Sequence, residues 1–203
     1  MAGGADALLF DLGRVVIDID FNRAFAKWAE YALCDQAMIA RRFSFDAAYK
    51  RHERGEIDAD EYFTALRLAL GVEISNAQLL DGWNAIFIGE MPGISSLLAD
   101  VARRFPLYAF SNSNREHELC WSKRFPSVLR HFRKIYVSST IGLRKPEAEA
   151  YNYVVKAIGT SAERIVFFDD TLENVDAARA CGLQAFQVKS AVEVADAVAR
   201  VGR

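Results

Sequence analysis

The amino-acid sequence predicts an α/β protein with a doubly wound parallel-sheet core and an inserted all-helical cap. Short, wholly apolar runs alternate with helical patterns over most of the chain, and such runs are typical of strands buried on both faces of a parallel sheet. One long interval instead holds successive amphipathic helical patterns. The length of 203 residues exceeds the roughly 150 of a typical domain, which fits a compact domain with a smaller insert.

Five apolar runs predict the strands of the sheet. The first covers residues 7–10 and stops at Asp11-Leu12-Gly13. The others cover residues 106–110, 134–137, 164–168 and, with a weaker pattern, 184–188. A carboxylate therefore stands directly after the first predicted strand.

Helical patterns separate these strands. Residues 92–103 carry apolar side chains at helical spacing, and residues 146–158 begin with a proline in the first turn and end before a glycine. Residues 171–181 predict a helix with Thr171 as N-cap and Gly182 after its end, and residues 190–201 predict the last helix. The alternation of strand and helix predicts right-handed βαβ units, with helices on both faces of the sheet.

The interval from residue 21 to about residue 90 breaks this alternation, because it contains no convincing strand. Three amphipathic stretches fill it, the second preceded by an Asp58 and Glu61 pair that resembles a capping box. Their apolar stripes are Phe21, Phe25, Trp28 and Ala32; Phe63, Leu66 and Leu70; and Leu79, Trp83, Ile86 and Phe87. We therefore interpret residues 1–20 and 91–203 as the α/β core and residues 21–90 as a helical cap.

Charge and hydropathy argue against several functional classes. The chain has 27 acidic and 25 basic side chains and a net charge of −2, and it has no basic stripe for nucleic acid or anionic membrane. No apolar run approaches the roughly 18 to 20 residues of a membrane span, and the first residues do not resemble a secretion signal. We expect a cytoplasmic protein with neither nucleic acid nor a membrane as a partner. Cys34, Cys120 and Cys181 are interpreted as buried free thiols.

Polar side chains follow the predicted strands at the edge where open parallel sheets bind ligands. Facing carboxylates repel one another unless a cation lies between them, and oxygen ligands suit Mg²⁺. Such a metal would hold a phosphate, a lysine and a hydroxyl would neutralise the other phosphoryl oxygens, and one carboxylate would attack phosphorus. The residues at this edge are Asp11, Ser111, Asn112, Lys145, Asp169 and Asp170.

Four short motifs resemble those of the haloacid dehalogenase superfamily and occur in the same order. They are Asp11-Leu12-Gly13-Arg14-Val15-Val16, Phe110-Ser111-Asn112, Arg144-Lys145-Pro146 and Phe167-Phe168-Asp169-Asp170. The chain is therefore identified as a member of the helical-cap branch of that superfamily. More narrowly, residues 10–13, 16–23, 52–56 and 168–170 resemble bacterial α-D-glucose-1-phosphate phosphatases.

The resemblance implies a metal site and a nucleophile. Asp11 would be the nucleophile and a Mg²⁺ ligand, and the Gly13 carbonyl and Asp170 would be two further ligands. Asp169 would assist the metal directly or through a water molecule. The implied activity is a Mg²⁺-dependent phosphatase of a small phosphorylated metabolite, such as glucose 1-phosphate, that works through an aspartyl-phosphate intermediate.

The resemblance also implies how the phosphate is held. Ser111 and the backbone of Asn112 would bind the transferring phosphoryl group. Lys145 would stabilise both that group and the Asp11 carboxylate. Ser111 and Lys145 would therefore act together with Asp11 in catalysis.

One position departs from the family pattern. Most phosphatases of the superfamily have a general acid two residues after the nucleophile, where this chain has Gly13. General acid catalysis is typically worth about 10²- to 10⁴-fold. A sugar 1-phosphate needs less of it, because its anomeric oxygen leaves as a hemiacetal anion that is less basic than an alkoxide. We therefore expect glycosyl phosphates to react faster than alkyl phosphates.

Two other functions remain compatible with these residues. A metal-independent 2-haloacid dehalogenase uses the same kind of aspartate to displace halide from carbon, although Asp170 argues against it. A catalytically weak binding or regulatory module is the second alternative. In the cap, the charged segment His52-Glu53-Arg54 is interpreted as a solvated face, with substrate contact as the alternative.

Overall fold

The computed structural model describes residues 4–201, and its central layer is a five-stranded parallel sheet in the order β5-β4-β1-β6-β7. A separate pair of short strands, β2 and β3, is antiparallel. The seven strands are β1 (Ala7–Phe10), β2 (Ile17–Ile19), β3 (Phe87–Glu90), β4 (Leu107–Ser111), β5 (Lys134–Val137), β6 (Ile165–Asp169) and β7 (Gln184–Gln187). The predicted α/β fold with a doubly wound parallel sheet is confirmed.

Strand β1 is the centre of the sheet and sets the position of the site. Phe10 is paired with Ala109 of β4 on one side and with Phe168 of β6 on the other. The three neighbouring strands therefore end at nearly the same level. Alternate residues of β1 belong to different hydrophobic clusters on the two faces of the sheet, as the two-residue period of a strand requires.

Five helices fill most of the interval predicted as the cap. They are α1 (Phe21–Ala32), α2 (Gln36–Arg42), α3 (Ala47–Glu53), α4 (Ala59–Leu70) and α5 (Asn76–Asn84). Asp58 caps α4 by accepting the Glu61 backbone N–H, whereas a complete capping box forms at α5 between Ser75 and Gln78. We propose the same division into core and cap as above; residues 1–3 and 202–203 of the core lie outside the described part.

The expectation that residues 21–90 contain no strand is wrong at the end of the interval. Strand β3 lies there and pairs with β2, so that the two strands flank the five helices in sequence. Both strands are short, and β3 is buried only at Phe87. A pattern of this length contains too few alternations to be recognised in a sequence.

The core helices follow the predicted order. They are α6 (Ile94–Val101), α7 (Arg115–Arg124), α8 (Pro126–Leu129), α9 (Ser138–Ile141), α10 (Ala148–Ile158), α11 (Leu172–Ala180) and α12 (Ala191–Val201). The four helices predicted in this region correspond to α6, α10, α11 and α12. Thr171 occupies the N-cap position of α11, although its side chain accepts no capping hydrogen bond.

The three cysteines are free, as expected, but they are half-buried rather than buried. Across residues 4–201, none of the helices combines the length and the apolar character that crossing a membrane requires.

Candidate active site

A cavity of about 760 Å³ lies where the ends of the central strands meet the cap. Core residues that line it include Asp11 after β1, Ser111 at the end of β4, and Lys145. Gly13, Asn112 and Asp170 line it as well. Asp169 is fully buried and does not line the cavity itself, but it contacts Lys145, which does. The structure therefore brings together the residues that the sequence predicts for the site.

Lys145 is the centre of this arrangement. Its ammonium Nζ donates to Asp11 Oδ1 at 2.7 Å and to Asp169 Oδ2 at 2.6 Å. Burial disfavours the charged ammonium, but the two carboxylates outweigh that effect and raise the pKa of Lys145. Burial also raises the pKa of Asp11 to about 7, against the opposing effect of the Lys145 charge.

Three carboxylates form a cluster beside Lys145. One oxygen of each of Asp11, Asp169 and Asp170 lies within 4.8 Å of the others. Burial and the neighbouring Asp169 raise the pKa of Asp170. Hard oxygen donors at this density are the ligands that Mg²⁺ prefers, so the donor set fits a divalent cation.

The three carboxylates are not equivalent. Asp169 accepts hydrogen bonds from Lys145 Nζ, from the Thr171 backbone N–H at 2.8 Å and from Asn174 Nδ2 at 3.1 Å. Asp170 lies 3.9 Å from the Arg14 guanidinium and accepts a hydrogen bond from the Thr171 hydroxyl at 3.2 Å. Asp169 is therefore fixed by protein groups, whereas Asp11 and Asp170 are the carboxylates that face the cavity.

Asn112 fixes the loop that carries Lys145. Its side chain accepts from the Lys145 backbone N–H and donates to the Lys145 carbonyl, both at 2.8 Å. The Asn112 side chain therefore joins the end of β4 to the loop that carries Lys145. Ser111 is buried at the end of β4 and lines the same part of the cavity.

Ile19 of β2 closes the space beside Gly13, where the family resemblance would place a general acid. A Cβ atom on Gly13 would lie 3.8 Å from Asp11 Oδ2 and 3.0 Å from Ile19 Cδ1. A side chain here would therefore reach the candidate nucleophile, but only if Ile19 of β2 moved aside. The glycine and the isoleucine fit each other.

The charged cap segment is not a solvated face. His52 and Glu53 are buried, and Glu53 is paired with Arg144 of the core loop that carries Lys145. Sequence reasoning missed this pair and the role of Tyr49, which lines the cavity beside Glu53. Arg144 was visible only as a member of a motif, and no local signal connects it with a residue 91 positions away.

Other aromatic and amide residues have structural partners. Asn174 holds Asp169, and the buried His117 ring contacts the Asn114 side chain and the Trp83 carbonyl. Burial lowers the pKa of His117 to about 3, so its ring is neutral at pH 7. Of the three tryptophans, Trp121 lines the cavity.

Comparisons with known proteins show which family the chain resembles. The family model described as haloacid dehalogenase-like hydrolase matches residues 5–182. D-ribitol-5-phosphate phosphatase of Bacteroides thetaiotaomicron is 22% identical over 192 residues, which cover 92% of this chain and 93% of that protein. Drimenol cyclase of Aspergillus calidoustus is 42% identical over 183 residues, which cover 88% of this chain and only 33% of the cyclase.

A solved structure extends the likeness to three dimensions. It is that of a family member from Bacteroides thetaiotaomicron in complex with magnesium and inorganic phosphate. Its TM-score to this chain is 0.81 at 26% identity, and the match covers 92% of this chain and 96% of that one.

Proposed function

The chain belongs to the haloacid dehalogenase-like hydrolase family, and on that premise we propose that it is a magnesium-dependent phosphatase of small phosphorylated metabolites. The observation that carries this proposal is the buried Lys145 ammonium between Asp11 and Asp169, beside Asp170. The relative that hydrolyses ribitol 5-phosphate and the similar structure that holds magnesium and phosphate support it. A cytoplasmic location is part of the same proposal.

Asp11, Asp170 and the Gly13 carbonyl are the groups that we propose as Mg²⁺ ligands. Asp169 supports them from behind, through its hydrogen bond to Lys145 or through a water molecule. When bound, Mg²⁺ would neutralise part of the charge on the phosphoryl oxygens. Lys145 and Ser111 would provide the remaining donors to that group.

Phosphoryl transfer then takes place in two displacement steps at phosphorus. The Asp11 carboxylate attacks phosphorus, the bond to the ester oxygen breaks, and the leaving oxygen departs with the electron pair. The Lys145 charge favours the ionised form of Asp11 and so opposes the effect of burial, which raises the pKa of that carboxyl. A water molecule next attacks phosphorus of the aspartyl phosphate, which releases inorganic phosphate and restores Asp11.

We propose a sugar phosphate as the substrate, with glucose 1-phosphate as the first compound to test. The cavity volume of about 760 Å³ accommodates a molecule of this size. The leaving group also fits the absence of an acid at Gly13, because a hemiacetal anion departs more easily than an alkoxide. Closure of the cap over the sugar would keep bulk water from the reaction.

A panel of phosphorylated metabolites, assayed for phosphate release with Mg²⁺, tests the proposal. Each glycosyl phosphate is paired with an alkyl phosphate of similar size. We expect turnover that EDTA abolishes and Mg²⁺ restores, with the glycosyl phosphates faster. Halide release from 2-haloacids without metal would identify a dehalogenase instead, and no turnover of any compound would favour the binding module. Equal rates for both ester types would refute the role given to Gly13.

A further inference from the structure

Four consecutive cap residues each contact a different residue of the core. We call residues 52–55 the latch segment. Its contacts are His52 with Glu116, Glu53 with Arg144, Arg54 with Glu147, and Gly55 with the Ser139 carbonyl. Gly55 has a φ of +67°, and a Cβ there would collide with that carbonyl oxygen. The cap therefore touches the core through a segment in which each residue has its own partner.

The buried pair between Glu53 and Arg144 joins the latch segment to the loop that carries Lys145. Arg144 Nε and Nη2 both lie 2.9 Å from Glu53 Oε2, and the Glu53 side chain is only 5% exposed. Burial raises the pKa of Glu53, against the opposing effects of Arg144 and Tyr49. Separating a buried ion pair leaves an unpaired charge behind, so the two residues are held together.

Arg144 transmits this contact to Lys145, which is the next residue. The Asn112 side chain also holds the Lys145 backbone: it accepts from the Lys145 N–H and donates to the Lys145 carbonyl, both at 2.8 Å. The loop is therefore fixed from the core by Asn112 and from the cap by Glu53. The Lys145 ammonium lies at the end of this chain of contacts, 2.7 Å from Asp11.

We propose that Glu53 is a positioning residue, which acts through Arg144 to hold Lys145 in place against Asp11 when the cap is seated on the core. The inference rests on the proposed function, since it assigns Lys145 a task in phosphoryl transfer. Seating of the cap and assembly of the Lys145 and Asp11 pair are then one event. The reactive arrangement is complete only when the cap also covers the cavity.

Steady-state kinetics of matched variants test this coupling. Glu53→Gln keeps the shape of the side chain and removes its charge, whereas Glu56→Gln changes an exposed glutamate nearby. We expect Glu53→Gln to lower kcat by roughly 10- to 100-fold with a smaller change in KM, since small displacements of reacting groups have effects of this size. Glu53→Asp, which keeps the charge, should recover part of the loss, and Glu56→Gln should match the parent protein.

A second measurement does not depend on activity. Labelling with acetic anhydride, followed by peptide mass spectrometry, reports how accessible the Lys145 amine is. Glu53→Gln and the more conservative Arg144→Lys should both label faster at Lys145 than the parent protein, at temperatures where circular dichroism shows them folded. If labelling and kcat stay at the parent values while only Tm falls, Glu53 is a structural residue and the inference is wrong. A parent protein without phosphatase activity would overturn the proposed function, and the labelling result would still decide whether Glu53 positions Lys145.

Discussion

Lys145 has to carry its charge inside the protein, because two carboxylates surround it. Its side chain is 1% exposed and lies within hydrogen-bond distance of Asp11 and Asp169. Removing one partner of a buried ion pair typically costs about 3 to 5 kcal/mol. Lys145→Gln should therefore lower the free energy of unfolding by about that amount in metal-free buffer, measured by urea denaturation.

Lys145→Gln should also lower the rate of phosphate release. Loss of one donor to a transferring group typically lowers kcat by about 10²- to 10³-fold, so we expect Lys145→Gln to be nearly inactive in a phosphate-release assay. Lys156→Gln, at an exposed position of α10, should change neither quantity. Full activity of Lys145→Gln would show that the ammonium only stabilises the fold.

His117 makes stability depend on pH. Burial lowers its pKa to about 3 from the ordinary value of 6.5. Below pH 6.5 the unfolded chain binds a proton here that the folded protein does not, so the free energy of unfolding falls as the pH falls toward about 3. The slope is at most about 1.4 kcal/mol per pH unit.

Substitution of His117 tests the direction of this pH dependence of stability. His117→Gln still offers an N–H to the Trp83 carbonyl, which the ring nitrogen contacts at 3.0 Å. Urea denaturation between about pH 6 and pH 4 should give a shallower loss of stability for His117→Gln than for the parent protein. Equal slopes for the two proteins would mean that His117 is protonated in the folded state.

At the scale of helices and strands, the packing of α1 against α5 depends on a glycine. The Trp28 and Trp83 rings stack with centroids 6.0 Å apart, and the Trp28 indole N–H donates to the Leu79 carbonyl at 3.0 Å. A Cβ on Gly82 would lie 2.2 Å from the Trp28 indole nitrogen and 2.4 Å from Trp28 Cδ1, closer than non-bonded atoms approach. The helix therefore needs glycine at this position.

Gly82→Ala sets two effects against each other. Alanine favours the helix by about 1 kcal/mol, whereas overpacking typically costs about 1 to 3 kcal/mol and the contact here is with a large buried ring. We expect a net fall in Tm and a changed near-ultraviolet circular dichroism spectrum. Gly89→Ala, where a Cβ meets nothing within 4 Å, is the control. An unchanged Tm for Gly82→Ala would show that α1 and α5 leave room for a methyl group beside Trp28.

The sequence predicts the strands of the five-stranded sheet but not the two short strands where the cap joins the core. Strands β1 and β5 have the predicted bounds, because a strand buried on both faces is a continuous apolar run with polar residues at its ends. Strands β2 and β3 lack such a run, since most of their residues are only partly buried. Their pairing follows from where the cap meets the core, which local patterns do not contain.

In the site, too, the sequence predicts the residues at the strand ends but not the contact between cap and core. Asp11, Ser111, Lys145 and Asp170 could be predicted, because topology alone brings the ends of parallel strands to one edge. The pair between Glu53 and Arg144 could not, since it joins two charged residues across the boundary between cap and core. Buried charges of this kind look like exposed ones in a sequence until their partners are known.

The cap and the core are joined by packing as well as by the latch segment. One hydrophobic cluster runs from the sheet into the cap and includes Phe10, Val16, Trp28 and Trp83. The near-neutral net charge of −2 conceals a local excess of carboxylates at the cavity. A cluster of carboxylates therefore lies at the cavity of a nearly neutral chain, and the buried Lys145 ammonium lies among them.

Phosphorylation of Asp11 during turnover can be measured directly by chemical trapping. The protein is mixed with Mg²⁺ and an active phosphate ester, quenched in acid and treated with borohydride, which reduces an aspartyl phosphate to homoserine. Peptide mass spectrometry should find homoserine at position 11 only in the sample that received substrate, and Asp11→Asn should release no phosphate. Phosphate release by the parent protein with an unmodified Asp11 peptide, or by Asp11→Asn at the parent rate, would show that Asp11 is not the nucleophile.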